Sequence, residues 1–265
     1  MRQNLLRTFG LAGLLIVVFS AVAMAQDYTR TYTLPAEGVI SVKNISGDVK
    51  VTGYEGEVVS VKAYKEGRDK DKVEVLDKST ANRVELAVGY PEHCNCDASI
   101  RFEVLVPITG KYRFESISSI SGNVTVDGAV GYLKAHAVSG DVTVKTFTGI
   151  VDAASTSGDV RVGEISGTVS ARSVSGDVIV AINQLAGAQG MEFSSTSGNV
   201  NVKLPGSLDA NVEMSVLSGD LKTDFPLTIE KKEHGPGQRA SGVVGGGSRK
   251  LTMKSISGNV ELRRQ

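Results

Sequence analysis

The chain has 265 residues, with 29 Lys and Arg against 29 Asp and Glu. That balance gives no electrostatic case for nucleic acid as a partner. Thirty glycines, no Trp and few aromatics suit tightly turning strands better than a helical bundle.

The N-terminus reads as a processing segment. Arg2 and Arg7 precede an apolar run, Phe9–Ala23, and Ala23-Met24-Ala25 has the small-residue spacing of a cleavage site. The run is about 15 residues, short of the roughly 20 that span a bilayer as a helix. The alternative is a membrane anchor. Residues 1–25 are therefore expected to be a signal peptide, with Gln26 the mature terminus. The protein would be exported, to periplasm, cell surface or medium. Losing Arg2 and Arg7 takes the 29 basic side chains to 27, against 29 acidic ones. No Cys follows the apolar run, so no lipoprotein anchor is expected, and no later stretch reads as a transmembrane segment. Residues 26–265 are expected to form a single domain.

An internal repeat dominates that domain. Gly122, Gly131, Gly140, Gly149, Gly158, Gly167 and Gly176 fall every nine residues. Two residues after each stands an aliphatic: Val124, Leu133, Val142, Val151, Val160, Val169 and Val178. Four after, Val126, Ala135, Val144, Ala153, Val162, Ala171 and Val180 alternate Val with Ala, so the true unit is eighteen residues with unequal halves. Apolar residues at every second position mark a strand with one buried face. Gly supplies a corner with φ > 0, and the Asp or Asn beside it can bond the local backbone. Two strand-plus-corner halves close one coil of a parallel β-solenoid.

The turn half recurs as Gly47-Asp48, Gly122-Asn123, Gly140-Asp141, Gly158-Asp159, Gly176-Asp177, Gly198-Asn199, Gly219-Asp220 and Gly258-Asn259. The expected fold is all-β: a solenoid of about eight coils, with a strand-rich insertion at 56–109 and a mobile Gly-rich loop at 225–247. Within the insertion, Val58–Tyr64, Val73–Leu76, Arg83–Val88 and Ile100–Val106 read as strands, and Lys65–Lys72 as a solvated hairpin tip.

Leu34-Pro35 before Gly38-Val39-Ile40-Ser41-Val42, Val104-Leu105-Val106-Pro107 before a Gly, and the Ser-Gly-Asp-Val run together resemble the bacterial putative adhesin family of exported β-solenoids. The resemblance covers almost all of the mature chain. It implies envelope or surface adhesion only through the family's label, and it carries no catalytic residues.

Candidate chemistry is sparse. Asn123, Asp141, Asp159 and Asp177 stand eighteen apart and should form a column. It reads as a ladder in which each side chain caps its own turn, with a Ca²⁺ stripe as the alternative. His93-Cys94-Asn95-Cys96-Asp97 is the densest ligand cluster. In an oxidising compartment Cys94 and Cys96 are expected to pair as a disulfide, a metal site or redox-active thiols being the alternatives. His136 and His234 are far off in sequence. No nucleophile, base and orienting group can be named, and no metal or cofactor is expected.

The reading is a non-enzymatic exported binding module, an adhesin or envelope-interaction protein. An envelope scaffold or stress-signalling module is the alternative, and a polysaccharide-active β-helix enzyme a second one. The partner would be an envelope or surface protein or glycan. It would meet polar rows such as Thr125, Thr143 and Arg161 or Lys134, Asp152 and Ser170, with specificity supplied by 56–109 and 225–247.

Overall fold

The computed structural model describes residues 27–231 and 236–265. The expected signal peptide and His234 lie outside them. The described residues are all-β apart from one 3-10 turn, Lys70–Lys72. The fold is a β-solenoid whose strands stack parallel along two facing walls.

The first wall is built from the turn halves. Val49–Tyr54, Val124–Asp127, Val142–Val144, the start of Val160–Ser175, Val178–Leu185, Val200–Leu204, Val260–Arg264 and Leu221–Thr223 are successive parallel neighbours. The second wall runs Val39–Ser46, Tyr112–Ser121, Ala129–Ser139, Phe147–Ser157, the end of Val160–Ser175, Met191–Ser197, Lys250–Ser257 and Ala210–Ser218. The eighteen-residue unit is the register itself: Val142 pairs Val160, and Gly131 pairs Gly149, which pairs Gly167. Val columns of the first wall face Leu133, Ala135, Val151, Ala153, Val169 and Ala171 of the second, all buried. Large against small fills the narrow space between the walls.

Stack order departs from chain order at the C-terminal end. Lys250–Ser257 lies between Met191–Ser197 and Ala210–Ser218, and Val260–Arg264 between Val200–Leu204 and Leu221–Thr223. The last coil made is thus threaded between two made earlier.

The two irregular stretches close the ends. Val39–Ser46 and Val49–Tyr54 pair directly with the coil at 112–127, so 56–109 does not interrupt the stack. Arg83–Gly89 and Ser99–Pro107 instead add one more parallel strand to each wall, and antiparallel Val59–Glu66 and Glu74–Asp77 cover those. The described residues of 225–247 are not the loop expected. Gln238–Val244 pairs antiparallel with Ala210–Ser218, and Thr228–Lys231 with Gln238–Val244. Phe225, Ala240 and Val244 are buried there, which the Gly and charged residues between them had obscured. The segment is a cap, so deleting it would bare a strand edge rather than trim a loop. The outermost strands are short: Tyr28–Tyr32, Glu74–Asp77, Leu221–Thr223 and Thr228–Lys231. Short edges give a second copy little to pair with end to end.

One side chain clasps the N-terminal end across both walls. Asp77, on the edge of the second wall, accepts hydrogen bonds from Tyr28 (2.9 Å) and Tyr32 (2.8 Å), on the edge of the first, and from the Ser79 amide (2.9 Å). Arg30 pairs with it as well. Burial alone would raise the Asp77 pKa. The bonds from Ser79, Tyr32 and Tyr28 outweigh that and hold it well below the usual carboxylate range. A depressed folded pKa gives stability that is full above the unfolded value near 3.9 and lost as pH falls through the folded one. The Asp77→Asn protein is therefore expected to melt lower at pH 7 and to lose less of its melting temperature than wild type on acidification from pH 5 to pH 2. Parallel curves for the two proteins would show that Asp77 contributes no such dependence.

Candidate binding surfaces

The corner between the walls is where the repeat residues gather. Gly47, Gly122, Gly140, Gly158, Gly176, Gly198, Gly258 and Gly219 lie one above another in that order. A Cβ on any of the last seven would run into the carbonyl oxygen of the glycine before it. The Asp and Asn beside them form a continuous ladder, but each does not cap its own turn. The Asp48 side chain accepts from the Asn123 amide, Asn123 from Asp141, Asp141 from Asp159, Asp159 from Asp177, Asp177 from Asn199, Asn199 from Asn259 and Asn259 from Asp220, all at 2.7–2.9 Å. Coils 4.8 Å apart put the next corner's amide within reach of a short side chain. One side-chain oxygen per rung is thereby engaged, carboxylate or amide, and Arg161 bridges Asp141 and Asp159. Burial raises the Asp141 pKa, while the Asp159 amide and Arg161 lower it further, for a net fall. The column is thus tied up in coil-to-coil bonds and one arginine.

A second ladder went unread in the sequence. Ser119, Ser155, Ser173, Ser195 and Ser255, each three residues before a corner glycine, are buried, and each hydroxyl donates to a corner glycine carbonyl of the neighbouring coil at 2.8–2.9 Å. Asn44 takes the same place at the N-terminal end, donating to the Gly47 and Ile100 carbonyls. Ala137 and Val216 occupy it in two coils without a hydroxyl. The signal was the Ser at fixed spacing before Ser-Gly-Asp, and it looked like solvated strand surface.

Between the buried serine and the glycine the chain bends, and two successive side chains turn outward. The first of each pair is mostly aliphatic. In stack order these are Ile45, Ile120, Val138, Thr156, Val174, Thr196, Ile256 and Leu217, and the six aliphatics are 36–53% exposed. Seven steps of 4.8 Å make a ridge about 34 Å long. Beside it run the half-buried Ser46 and the exposed serines 121, 139, 157, 175, 197, 257 and 218. Apolar residues two before each glycine were visible in the sequence, yet the outward rows weighed there were polar ones on the walls. Those rows are there too, largely self-paired, as Arg172 is with Asp152 and Arg83 with Glu115.

The cysteine cluster lies in the loop that joins Arg83–Gly89 to Ser99–Pro107, at the N-terminal end of the corner stack beside Gly47. The sulfurs of Cys94 and Cys96 adjoin, with Cα atoms 5.1 Å apart, inside the range of disulfides. His93 takes a positive φ of 56°, and His136 sits on the outer face of the second wall beside Lys134, Asp152 and Arg172. Among the described residues, no three of His, Cys, Asp and Glu gather as a metal site would need, and His136 stands apart from the cysteines. Protein purified without reductant is expected to react with no thiol reagent until reduced. Two free thiols in that preparation, or stoichiometric zinc or copper lost on Cys94→Ser, would contradict the pairing.

The family model described as Toastrack DUF4097 matches residues 105–263, more than half of the chain and nearly all of the corner stack. The chain belongs to the Toastrack DUF4097 family. This is the family that its Ser-Gly-Asp-Val repeats resemble. Three solved structures are similar over 90% of this chain: a putative adhesin from Bacteroides fragilis (13% identity, 96% of that chain, TM-score 0.44), a putative adhesin from Parabacteroides distasonis (11%, 96%, 0.36) and a putative cell adhesion protein from Clostridium sporogenes (11%, 99%, 0.35). No curated protein matches the chain significantly. The Toastrack match covers the inserted C-terminal coil as well as the regular repeats. Among the described residues of this Toastrack chain, no helix is long and apolar enough to cross a membrane.

Proposed function

We propose that the chain is an exported, non-enzymatic binding module of the cell envelope, holding another protein along its corner ridge. The ridge carries this reading. A row over eight corners of six half-exposed aliphatics and two threonines, edged by serines, is the form of surface that marks a protein contact. A straight row encloses no small substrate and excludes no water from it, as an active site would. It suits an extended partner engaged through many weak contacts. Adhesion is the leading form of that role. An envelope scaffold would use the same ridge, with the partner on the same cell. Export rests on the basic start, the apolar run and the Ala23-Met24-Ala25 site.

The test is capture of an envelope protein by the purified chain, compared with Ile120→Asp/Val174→Asp. Both positions are about half exposed, so the melting temperature should hold within a few degrees, and surface changes of this kind cost little. Binding should fall at least tenfold, and the captured protein should be recovered at unchanged mass. Unaltered capture by the double variant would remove the ridge from the account. A hollow of about 440 Å³ beside the C-terminal cap has Glu213 and Glu230 in its lining; cleavage of a glycan or peptide, abolished by one substitution there such as Glu213→Gln, would make the chain an enzyme instead.

A further inference from the structure

The outer face of the first wall carries a second feature, independent of the ridge. Five residues past successive corner glycines stand Asp127, Lys145, Gly163, Ala181, Lys203 and Arg263; each follows the paired column Val126, Val144, Val162, Val180, Val202 and Leu262 by one residue, and Ala181, Lys203 and Arg263 are themselves register partners. Gly163 and Ala181 leave this row without bulk over two coils. A trough of about 590 Å³ opens there. Its floor is Gly163, Ala181 and Ile179, whose side chain is 42% exposed. Lys145 and Lys203 flank that floor, three strand spacings or about 14 Å apart, and Glu261 and Arg263 of the next strand line the trough beyond Lys203. Two other cations line it, but Arg161 is held by Asp141 and Asp159, and Arg263 by Asp224 and Glu261. Among the described residues neither Lys145 nor Lys203 has an ion-pair partner.

An apolar floor with an uncommitted cation on either side fits a ligand that is apolar along its length and anionic at its tip. A peptide with acidic residues meets the charges but not the floor. The strands beneath the trough are interior strands bonded on both sides, so they offer a peptide no free edge, and its amides would leave water without partners. A hydrocarbon chain has no such groups to satisfy. We propose that this trough binds a long-chain fatty acid. The acyl chain lies over Gly163, Ala181 and Ile179, along the stems of the flanking lysines, and the carboxylate pairs with one of the two ammonium groups.

The test is calorimetric titration of the purified protein with palmitate below its micelle concentration, with hexadecanol and a poly-glutamate peptide as comparison probes. One palmitate should bind per chain. Gly163→Leu fills the floor. A Cβ at Gly163 comes no closer than 3.6 Å, to the Lys145 carbonyl, and its φ is not in the left-handed range, so the fold accommodates it. This variant should weaken palmitate at least tenfold with an unchanged melting temperature. Lys145→Glu/Lys203→Glu should weaken palmitate as much while leaving hexadecanol within twofold. No palmitate binding by wild type, binding untouched by Gly163→Leu, or poly-glutamate binding that Gly163→Leu abolishes would each overturn the proposal. None of these variants touches the corner ridge, so the outcome is independent of partner capture.

Discussion

Gly140→Val is expected to lower the melting temperature by about 6–12 °C. Gly140 sits at φ 155°, at the edge of the region that side-chain-bearing residues avoid, and a Cβ there meets the Gly122 carbonyl oxygen. The carbonyls above and below belong to the same stack, so the clash is relieved only by parting two coils. Parting them breaks the rungs between them: the Gly122 amide to the Ser139 carbonyl and the Asp141 amide to the Asn123 side chain. Backbone strain near the low end, about 1 kcal/mol because φ lies close to extended backbone, plus two bonds worth about 1 kcal/mol each gives roughly 3 kcal/mol. At about 2–4 °C per kcal/mol for a chain of this size, that is the expected shift. Gly163→Ala is the control, since that glycine has open space and an ordinary φ, and it should shift melting by less than about 2 °C. Equal shifts for the two would mean that stacking at the corner imposes no demand for glycine.

Met253→Asp is expected to cost at least as much. Met253 is fully buried between Phe193 and Met214, its register partners on either side. A carboxylate placed there has no cation to meet and must lose its water or its charge, a penalty of several kcal/mol. We expect a fall of about 8–16 °C and early proteolysis C-terminal to residue 204. If coils stacked in chain order, Met253 would lie in the terminal coil with one side open, and the charge could turn toward water. A fall under about 3 °C, with no change in proteolysis, would support that arrangement over the inserted one.

These two positions show how far the sequence could be read. Gly140 belongs to a column of glycines at constant spacing, so the corner, the strand faces and the eighteen-residue register follow from local chemistry repeated without a slip. Met253 precedes a Ser-Gly-Asn-Val motif like any other. Each coil presents the same edges to its neighbours, so nothing local says which two coils the last one joins. The caps were obscured for a related reason. Ala240 and Val244 stand among Gly and Ser and bury only because the stack ends beside them. At the surfaces, the ridge was present as Ile45, Ile120, Val138, Val174, Leu217 and Ile256, but strict alternation does not show that the two side chains before Gly122 both turn outward. The trough depends on what is missing from a row, Gly163 and Ala181 among charged residues, and becomes visible only once the coils are in register.

Side-chain oxidative footprinting of the chain with and without its captured envelope partner tests the binding account most directly. The account predicts protection of Ile45, Ile120, Val138, Val174, Leu217 and Ile256 together, with Ile179 and the partner's mass unchanged. Protection confined to the hollow around Glu213 and Glu230, with the ridge still labelled and the partner cleaved, would contradict it.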